Sequence, residues 1–242
     1  MFVVQRVAAH QADASAPDVA VAIVTRGQRQ DYLARTLAAI QSQRKSVRLH
    51  VMLWCNGAKA GSVWADWTHS VDHNMGQHIP MNTMLDMASG MGARYFLRVD
   101  DDCWVQEPKQ WLRRLVDIAD EHEKQYETPC ILAPKVRGLR WQPAVITEVM
   151  VGRKRLHLME MLGGICRLHP MSLMRYFRWN PRLPMGMGEA ASLAEHMRAR
   201  NIPLLRDPHT VVSHGGSTDD QEAKSPQWKL EHDRLQVIPY GL

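Results

Sequence analysis

The chain has 242 residues, of which 45% are hydrophobic and 23% charged, so it is long enough to bury one sizeable core. Its formal net charge of +5 is uneven: the segment from Lys135 to Arg206 holds 13 basic residues against 4 acidic ones, whereas the rest is mildly acidic. Its four cysteines form no Cys-x-x-Cys pair, and no apolar run approaches the roughly 20 residues that span a bilayer. A disulfide framework, a zinc site of paired cysteines and a membrane-spanning helix are therefore excluded, and we expect a soluble, cytoplasmic protein.

The first part of the chain predicts alternating strands and helices. Residues up to about Asp18 predict a loose arm or an added edge strand. The continuous apolar run 19–24 then predicts a buried parallel strand that ends at Thr25-Arg26. Asp31 is predicted to cap the helix that follows. Residues 47–54 predict a second strand, which stops at the turn signal Cys55-Asn56-Gly57. Strand, helix and strand at this spacing indicate a βαβ unit.

A second βα pattern leads to an acidic cluster. The sequence Asn74-Met75-Gly76 precedes a helix that Pro80 opens, whose methionines are expected to pack in the core. The strand pattern 95–99 then runs directly into the triplet Asp100-Asp101-Asp102. Open α/β sheets bind ligands at the carboxyl ends of their strands, and a divalent cation such as Mg²⁺ or Mn²⁺ relieves repulsion between clustered carboxylates. A solvated acidic turn is the alternative, but the buried type of the preceding strand favours a metal.

The pattern changes after residue 134. Basic, hairpin-like segments are followed by residues 156–168, which predict one strand with Gly163-Gly164 in its middle, a feature typical of a bulge or a close backbone approach by a ligand. A loop rich in Pro and Gly then places Glu189 at the start of a helix. Two strand-like segments, 204–206 and 210–213, lead to His214. The polar stretch from Gly215 to Gln227 is predicted to be a mobile lid.

This order of motifs resembles the family-two glycosyltransferases with the GT-A fold. The matching residues are Thr25-Arg26, Asn56-Gly57, Asn74 and Gly76 with Asn82 beyond them, Asp100-Asp101-Asp102, Gly163-Gly164, Gly188-Glu189 and His214. The match covers residues 19 to 215. It implies an α/β, GT-A-like single domain with a mixed, mainly parallel sheet flanked by helices. Its parts would be a Rossmann-like half that binds donor and metal (19–134), an acceptor half (135–216), and a C-terminal lid and tail (217–242).

The resemblance also implies roles for individual residues. The cofactors would be a nucleotide-sugar donor, taken to be a UDP-sugar, and Mn²⁺ or Mg²⁺. The donor would be bound by Thr25, Arg26, Asn56, Asn74, Gly76, Asp100, Asp101, Gly163 and Gly164. The metal would be held by Asp100, Asp102 and His214, and an imidazole ligand favours Mn²⁺. Glu189 would be the general base of an inverting transfer.

Plain structural roles remain open for two of these residues. His214 lies beside glycines, as loop histidines often do, and Glu189 at a helix start would also complement the helix dipole. The chain departs from the family at two places. It has Cys55-Asn56 where an acid commonly holds the nucleobase, and Glu189-Ala190 where a Glu-Asp pair is frequent. The identity of the base therefore stays open, and the general base rests on a single carboxylate.

The basic segment predicts the acceptor. Its Arg and Lys residues are interleaved with Trp141, Tyr176, Phe177 and Trp179, a composition typical of a groove that binds nucleic acid. The enzymes it would then resemble are the phage glycosyltransferases that modify hydroxymethylated pyrimidines in DNA, which need a flipped base. We therefore predict DNA as partner and acceptor, with a glycan or a small molecule as the alternative.

Other classes of protein fit less well. A sugar nucleotidyltransferase needs a Gly-rich loop after the first strand, and a dehalogenase-type phosphatase needs an Asp there, but the chain has Thr25-Arg26-Gly27. An inactive scaffold that binds nucleic acid remains the alternative from a different class. The joint presence of Asp100, Asp102, Glu189 and His214 argues against it.

Overall fold

The computed structural model describes residues 16–57, 64–107, 109–138, 143–180 and 189–215. Several sequence predictions lie outside these ranges: the arm before residue 16, Arg140 and Trp141, the loop 181–188, and all of the predicted lid and tail except Gly215. The side chain of Glu189 is also outside the described part.

The described elements alternate between strands and helices in the first half. They are β1 (Val19–Thr25), α1 (Gln30–Gln41) with a 3₁₀ turn behind it, β2 (Leu49–Asn56), β3 (Trp67–Val71), α2 (His78–Gly90), β4 (Tyr95–Asp100), β5 (Cys103–Glu107) and α3 (Trp111–Tyr126). Strands dominate the second half: β6 (Ile131–Arg137), β7 (Val145–Val151), β8 (Lys154–Met159), β9 (Cys166–Pro170), α4 (Met171–Met174), α5 (Glu189–Arg198) and β10 (Leu204–His214). Among the described helices, none has the length and hydrophobicity needed to cross a membrane.

The ten described strands form one sheet in the order β3-β2-β1-β4-β9-β6-β10-β8-β7, with β5 paired to β10. The pairs β2–β3, β1–β2, β1–β4 and β6–β10 are parallel. Strand β9 is antiparallel to both β4 and β6, so β6 and β10 run in the same direction as β1 to β4. The carboxyl ends of β1, β2, β4 and β10 therefore lie at one edge, which is where the polar motifs of the sequence fall.

Both faces of the sheet are covered, which explains the continuous apolar runs in the sequence. One face packs against α1 and α3, with Val21, Leu97 and Leu112 in its core. The other packs against α2 and α5 through residues such as Met84 and Phe96. Successive residues of a strand point to opposite faces, so a strand buried on both sides is apolar at most of its positions. The methionines of α2 are core residues, as predicted.

Two predicted features differ from the structure. Asp31 is not the cap of α1, because the cap position is Arg29 and no side chain makes a capping hydrogen bond there; Asp31 lies in the first turn. Residues 156–168 are not one strand, because β8 pairs with β7 and β10 whereas β9 pairs with β4 and β6. Gly163 and Gly164 therefore lie in the connection between β8 and β9. An apolar run cannot show that the chain changes partners in its middle.

The last described strand also differs from its prediction. The segments 204–206 and 210–213 belong to one strand, β10, whose register shifts between Asp207 and Val211. The buried carboxylate of Asp207 accepts hydrogen bonds from the Arg114 guanidinium and from the Thr210 hydroxyl at this bulge. The polar residues between the two predicted segments, Asp207 to Thr210, thus form a bulge within β10 and do not end the strand.

Candidate metal centre

Three side chains converge where β4 and β10 end. Asp100 is the last residue of β4, Asp102 lies in the turn after it, and His214 is the last residue of β10. Each offers one ligand atom, and these three atoms lie within 4.8 Å of one another. The Nε2 atom of His214 is 3.3 Å from Oδ1 of Asp102. The structure thus brings together the three residues that the sequence predicted as metal ligands.

Backbone contacts hold the acidic turn in place. The Thr36 hydroxyl of α1 donates to the carbonyl oxygen of Asp101 at 3.0 Å and accepts from the N–H of Cys103 at 3.0 Å. On the other side, the N–H of Gly215 donates to the carbonyl oxygen of Asp102 at 2.7 Å. The turn is therefore fixed to α1 and β10, so its side chains are placed before any ligand arrives.

Asp101 connects the acidic turn to the end of β1. Its Oδ2 accepts a 2.6 Å hydrogen bond from the Thr25 hydroxyl, and that hydroxyl in turn accepts from the N–H of Gly27 at 3.0 Å. Burial raises the pKa of the Asp101 carboxyl above its ordinary value. Thr25 and Asp101, both predicted to contact a nucleotide sugar, thus contact each other.

Two arginines compensate the charge of the cluster. Nη1 of Arg29 lies 2.7 Å from Oδ2 of Asp102, and Nη2 of Arg98 lies 3.4 Å from Oδ1 of Asp100. The Arg98 side chain is only 3% exposed and also donates to Oε1 of Gln77 at 2.7 Å. Neither arginine was predicted from the sequence as part of the site. For Arg98 a signal existed, because a charged residue in a strand buried on both faces needs a partner.

Gly164 makes room for Arg98. A Cβ atom at this position would lie 2.8 Å from Nη1 of Arg98, whereas a Cβ at Gly163 would have no heavy atom within 4 Å. The two glycines of the predicted motif therefore differ: the backbone at Gly164 is approached closely by a side chain of the protein, and the backbone at Gly163 faces open space.

A second hydrogen-bonded network joins the end of β2 to the loop between β3 and α2. The Asn56 amide donates to Oδ1 of Asn74 at 2.6 Å and to the carbonyl oxygen of Gly76 at 2.7 Å, and its own oxygen accepts from the N–H of Met75 at 2.7 Å. The motif residues thus shape this loop by binding one another. Asn82 has a structural contact, since it exchanges two hydrogen bonds with the backbone of Trp179.

The remaining predicted site residues lie apart from this network. Arg26 is exposed in the loop after β1. Glu189 is the first residue of α5, and the structure describes its backbone alone.

The prediction that the aromatic residues of the basic segment line a groove is wrong for two of them. Phe177 and Trp179 are 5% and 1% exposed, because they pack on one another and on Phe96 and His196 in the core. Tyr176 is 67% exposed. The basic residues are also partly used within the protein.

Several basic residues of the segment 135–206 are buried or form ion pairs within the protein. Arg167 is completely buried, whereas Lys154 pairs with Glu121 and Arg178 lies 2.8 Å from Asp86. The exposed charge of this segment is consequently smaller than its composition suggests.

The ligand atoms of the three side chains suit a divalent cation. Two carboxylates and an imidazole match the oxygen and nitrogen ligands of Mn²⁺, and oxygen ligands alone would suit Mg²⁺. The side chains of Asp100 and His214 are 25% and 14% exposed, so one side of the cluster is open to solvent.

Comparison with known proteins places the fold. No protein-family model matches the chain, and no curated protein matches its sequence. The structure is similar to a solved structure of GalNAc-T7 with UDP, GalNAc and Mn²⁺, with a TM-score of 0.66 and 14% sequence identity. The similarity covers 95% of this chain and 53% of that one, so the chain spans about half the length of its structural neighbour. The predicted α/β, GT-A-like fold is thereby confirmed.

Proposed function

We propose that the protein is a metal-dependent, inverting glycosyltransferase that moves a sugar from a nucleotide-sugar donor to an acceptor hydroxyl. The observation that carries this proposal is the convergence of Asp100, Asp102 and His214 at the carboxyl edge of a GT-A-like sheet. The neighbour of the same fold contains UDP and Mn²⁺, which supports a UDP-sugar as donor and Mn²⁺ as metal.

The metal ligands and their supports have distinct tasks in this proposal. When bound, the ion would stabilise the negative charge that develops on the leaving diphosphate. Asp100, Asp102 and His214 would hold the ion, and Arg98 keeps the Asp100 carboxylate oriented. Thr36 fixes the turn between them. Because the backbone sets these positions, the three ligand side chains themselves need little rearrangement when the metal and the donor bind.

The donor would lie over the carboxyl ends of β1, β2 and β4. Residues proposed to border it lie at or just after the ends of these strands and in two neighbouring loops. They are Thr25 and Arg26 at the end of β1, Asn56 at the end of β2, Asn74 and Gly76 between β3 and α2, Asp100 and Asp101 at the end of β4, and Gly163 and Gly164 between β8 and β9. Polar groups at this edge are the usual means of ligand recognition in open α/β sheets.

Glu189 is the proposed general base. Its position at the start of α5 follows the Pro- and Gly-rich loop, and the family resemblance places an acid there. The carboxylate would take the proton of the acceptor hydroxyl as its oxygen attacks the anomeric carbon from the face opposite the diphosphate. This geometry inverts the configuration of the transferred sugar.

The proposed acceptor is the hydroxyl of a hydroxymethylated base in DNA. Support comes from exposed basic side chains of the second half, namely Lys135, Arg137, Arg153 and Arg175, together with the exposed ring of Tyr176. A glycan or small-molecule acceptor is the second candidate. The burial of Phe177 and Trp179 favours it, because two aromatic rings on which a flipped DNA base could stack are not accessible.

A donor screen tests the proposal. Nucleotide diphosphates and nucleotide sugars, each with and without Mn²⁺, are added in a thermal-shift experiment, since a ligand that binds only the folded state raises its stability. The best donor is then used in a transfer assay with Asp102→Asn and with a control, Asp117→Asn, which removes a partly exposed carboxylate on α3 that pairs with Arg113. We expect turnover in the wild type and the control only with metal, and none in Asp102→Asn. Full activity of Asp102→Asn in excess EDTA would reject the metal mechanism.

Labelled donor separates the acceptors. We expect label in hydroxymethylated DNA and none in unmodified DNA, and binding to duplex DNA should weaken steeply as salt rises. Labelled glycan without labelled DNA would favour the second candidate. No label and no donor hydrolysis with any donor would favour an inactive scaffold.

A further inference from the structure

The Asp102 carboxylate already has a cation beside it. Oδ2 lies 2.7 Å from Nη1 of Arg29, and Oδ1 lies 3.3 Å from Nε2 of His214. The carboxylate is 8% exposed, so its negative charge is costly without a partner. Arg29 therefore supplies the positive charge that stabilises the Asp102 carboxylate.

Arg29 and a metal ion compete for this carboxylate. A guanidinium stays protonated at every physiological pH, so it cannot lose its charge to make room for a second cation. An ion drawn to Asp102 must displace Arg29 or bind close to it, and both arrangements cost energy because the two cations repel. We therefore expect Arg29 to weaken the binding of metal alone.

The side chain of Arg29 is placed so that it can leave. It stands at the cap position of α1 and is 34% exposed. The guanidinium carbon of Arg29 lies 6.0 Å from the centroid of the Tyr32 ring, and the guanidinium carbon of Arg35 lies 5.9 Å from the same centroid. A displaced Arg29 would thus be a solvent-accessible cation beside the metal, in surroundings that already hold a second arginine.

We propose that Arg29 couples metal binding to the binding of a nucleotide diphosphate. This inference rests on the proposed function, which brings a diphosphate to the metal. Without the nucleotide, Arg29 occupies Asp102 and metal affinity is low. With the nucleotide, the displaced guanidinium gains an anionic partner, so the two ligands favour each other's binding. Thermodynamic reciprocity requires that metal raise the affinity for nucleotide by the same factor.

Substitutions at Arg29 separate this role from a structural one. Arg29→Met removes the charge and keeps an unbranched stem, and Arg29→Gln is a second neutral variant. Arg29→Lys retains a positive charge that can reach Asp102. The control is Arg48→Met, which breaks another arginine–aspartate pair, with Asp18 at 2.9 Å, on an exposed side chain outside the metal centre.

Metal binding is measured from the electron paramagnetic resonance signal of unbound Mn²⁺, in titrations with and without UDP. Titrations without protein correct for the Mn²⁺ that UDP itself binds in solution. For the wild type and Arg48→Met we expect UDP to tighten Mn²⁺ binding about 5- to 150-fold, the usual range of coupling between sites. Arg29→Met and Arg29→Gln should bind Mn²⁺ alone at least about fivefold more tightly than the wild type, with a smaller effect of UDP. Arg29→Lys should behave more like the wild type.

The outcomes distinguish two failures. If the wild type binds Mn²⁺ and Asp102→Asn does not, but both neutral Arg29 variants match the wild type with and without UDP, the coupling is rejected and the metal centre stands. If the wild type binds no more Mn²⁺ than Asp102→Asn, the metal centre is rejected, and the coupling with it.

Discussion

The backbone N–H of Gly215 donates a 2.7 Å hydrogen bond to the carbonyl oxygen of Asp102, which joins the end of β10 to the acidic turn after β4. The neighbouring residue on β10 is His214, so the same contact sets the distance between the imidazole and the carboxylates. The geometry of the candidate metal centre thus depends on a glycine that contributes no side chain.

Gly215→Ala should weaken the metal centre. A Cβ atom at this position would lie 2.9 Å from ring carbons of Tyr32 and 3.0 Å from the ring of Trp104, and these two rings are stacked with centroids 5.4 Å apart. Either the rings or the end of β10 must move. We expect a loss of about 1–3 kcal/mol in the free energy of unfolding and a lower affinity for Mn²⁺.

Gly90→Ala is the control for that variant. Gly90 is the last residue of α2, and a Cβ atom there would have no heavy atom within 4 Å. Alanine should therefore be neutral or stabilise the protein by up to about 1 kcal/mol. Chemical denaturation and Mn²⁺ titration of both variants check the prediction, which is wrong if Gly215→Ala behaves like Gly90→Ala.

The two glycines between β8 and β9 should respond differently to the same substitution. Gly164→Ala puts a Cβ atom 2.8 Å from the buried Arg98 guanidinium, so this side chain must shift and its contact with Asp100 must change. Gly163→Ala has open space. We expect weaker Mn²⁺ binding and a lower melting temperature for Gly164→Ala but not for Gly163→Ala. Equal values for the two variants would show that Arg98 does not constrain this loop.

Glu189→Gln should slow transfer without changing donor binding. The amide has nearly the shape of the carboxylate but cannot accept a proton, so the rate should fall by about 10²–10⁴-fold. Single-turnover kinetics with a saturating donor measure the rate, and donor titration measures the affinity. Loss of donor affinity with normal turnover of the bound donor would instead indicate a structural role.

Asp207 should make stability depend on acid. Burial acts to raise its pKa, but the hydrogen bonds from Arg114, at 2.6 Å, and from Thr210, at 2.7 Å, outweigh burial, so the pKa is lowered. A lowered pKa contributes stability that is present above the unfolded value of about 3.9 and is lost as pH falls through the folded value. We therefore expect the Asp207 contribution to fade below about pH 4.

Asp207→Asn isolates this contribution. The variant leaves the Arg114 guanidinium, which is 28% exposed, without its anionic partner, and losing a hydrogen bond of this kind between charged groups costs about 1.5–3 kcal/mol. The difference in melting temperature between wild type and variant should be large at pH 7 and should shrink as the pH falls below about 4. A difference that stays constant from pH 7 to pH 2 would contradict the assignment.

The sequence was sufficient to predict the centre of the sheet. The apolar runs in β1 and β4 are continuous because both strands are buried on both faces, and a ligand site at the carboxyl ends of such strands follows from the architecture. The proximity of His214 does not follow from the architecture: it was implied by the family resemblance, and the structure brings its imidazole close to Asp100 and Asp102 although residues 103–213 separate them along the chain.

Elements at the margin of the sheet were not predictable. Strand β3 lies at one edge and exposes Thr68, His69 and Ser70, so no apolar run marks it. Strand β7 at the opposite edge is exposed along most of its length. The contact between Arg29 and Asp102 is also invisible in the sequence, because it arises from tertiary packing of two turns and no spacing encodes it.

The position of β10 in the sheet has a kinetic consequence. This strand is the last of the described ones along the chain, yet it lies between β6 and β8 and also pairs with β5. Contacts between distant parts of a chain form slowly, because loop closure costs entropy before the contacts can repay it. His214 therefore reaches Asp102 only when β10 has inserted, and a Mn²⁺ signal during refolding would report the completion of the sheet.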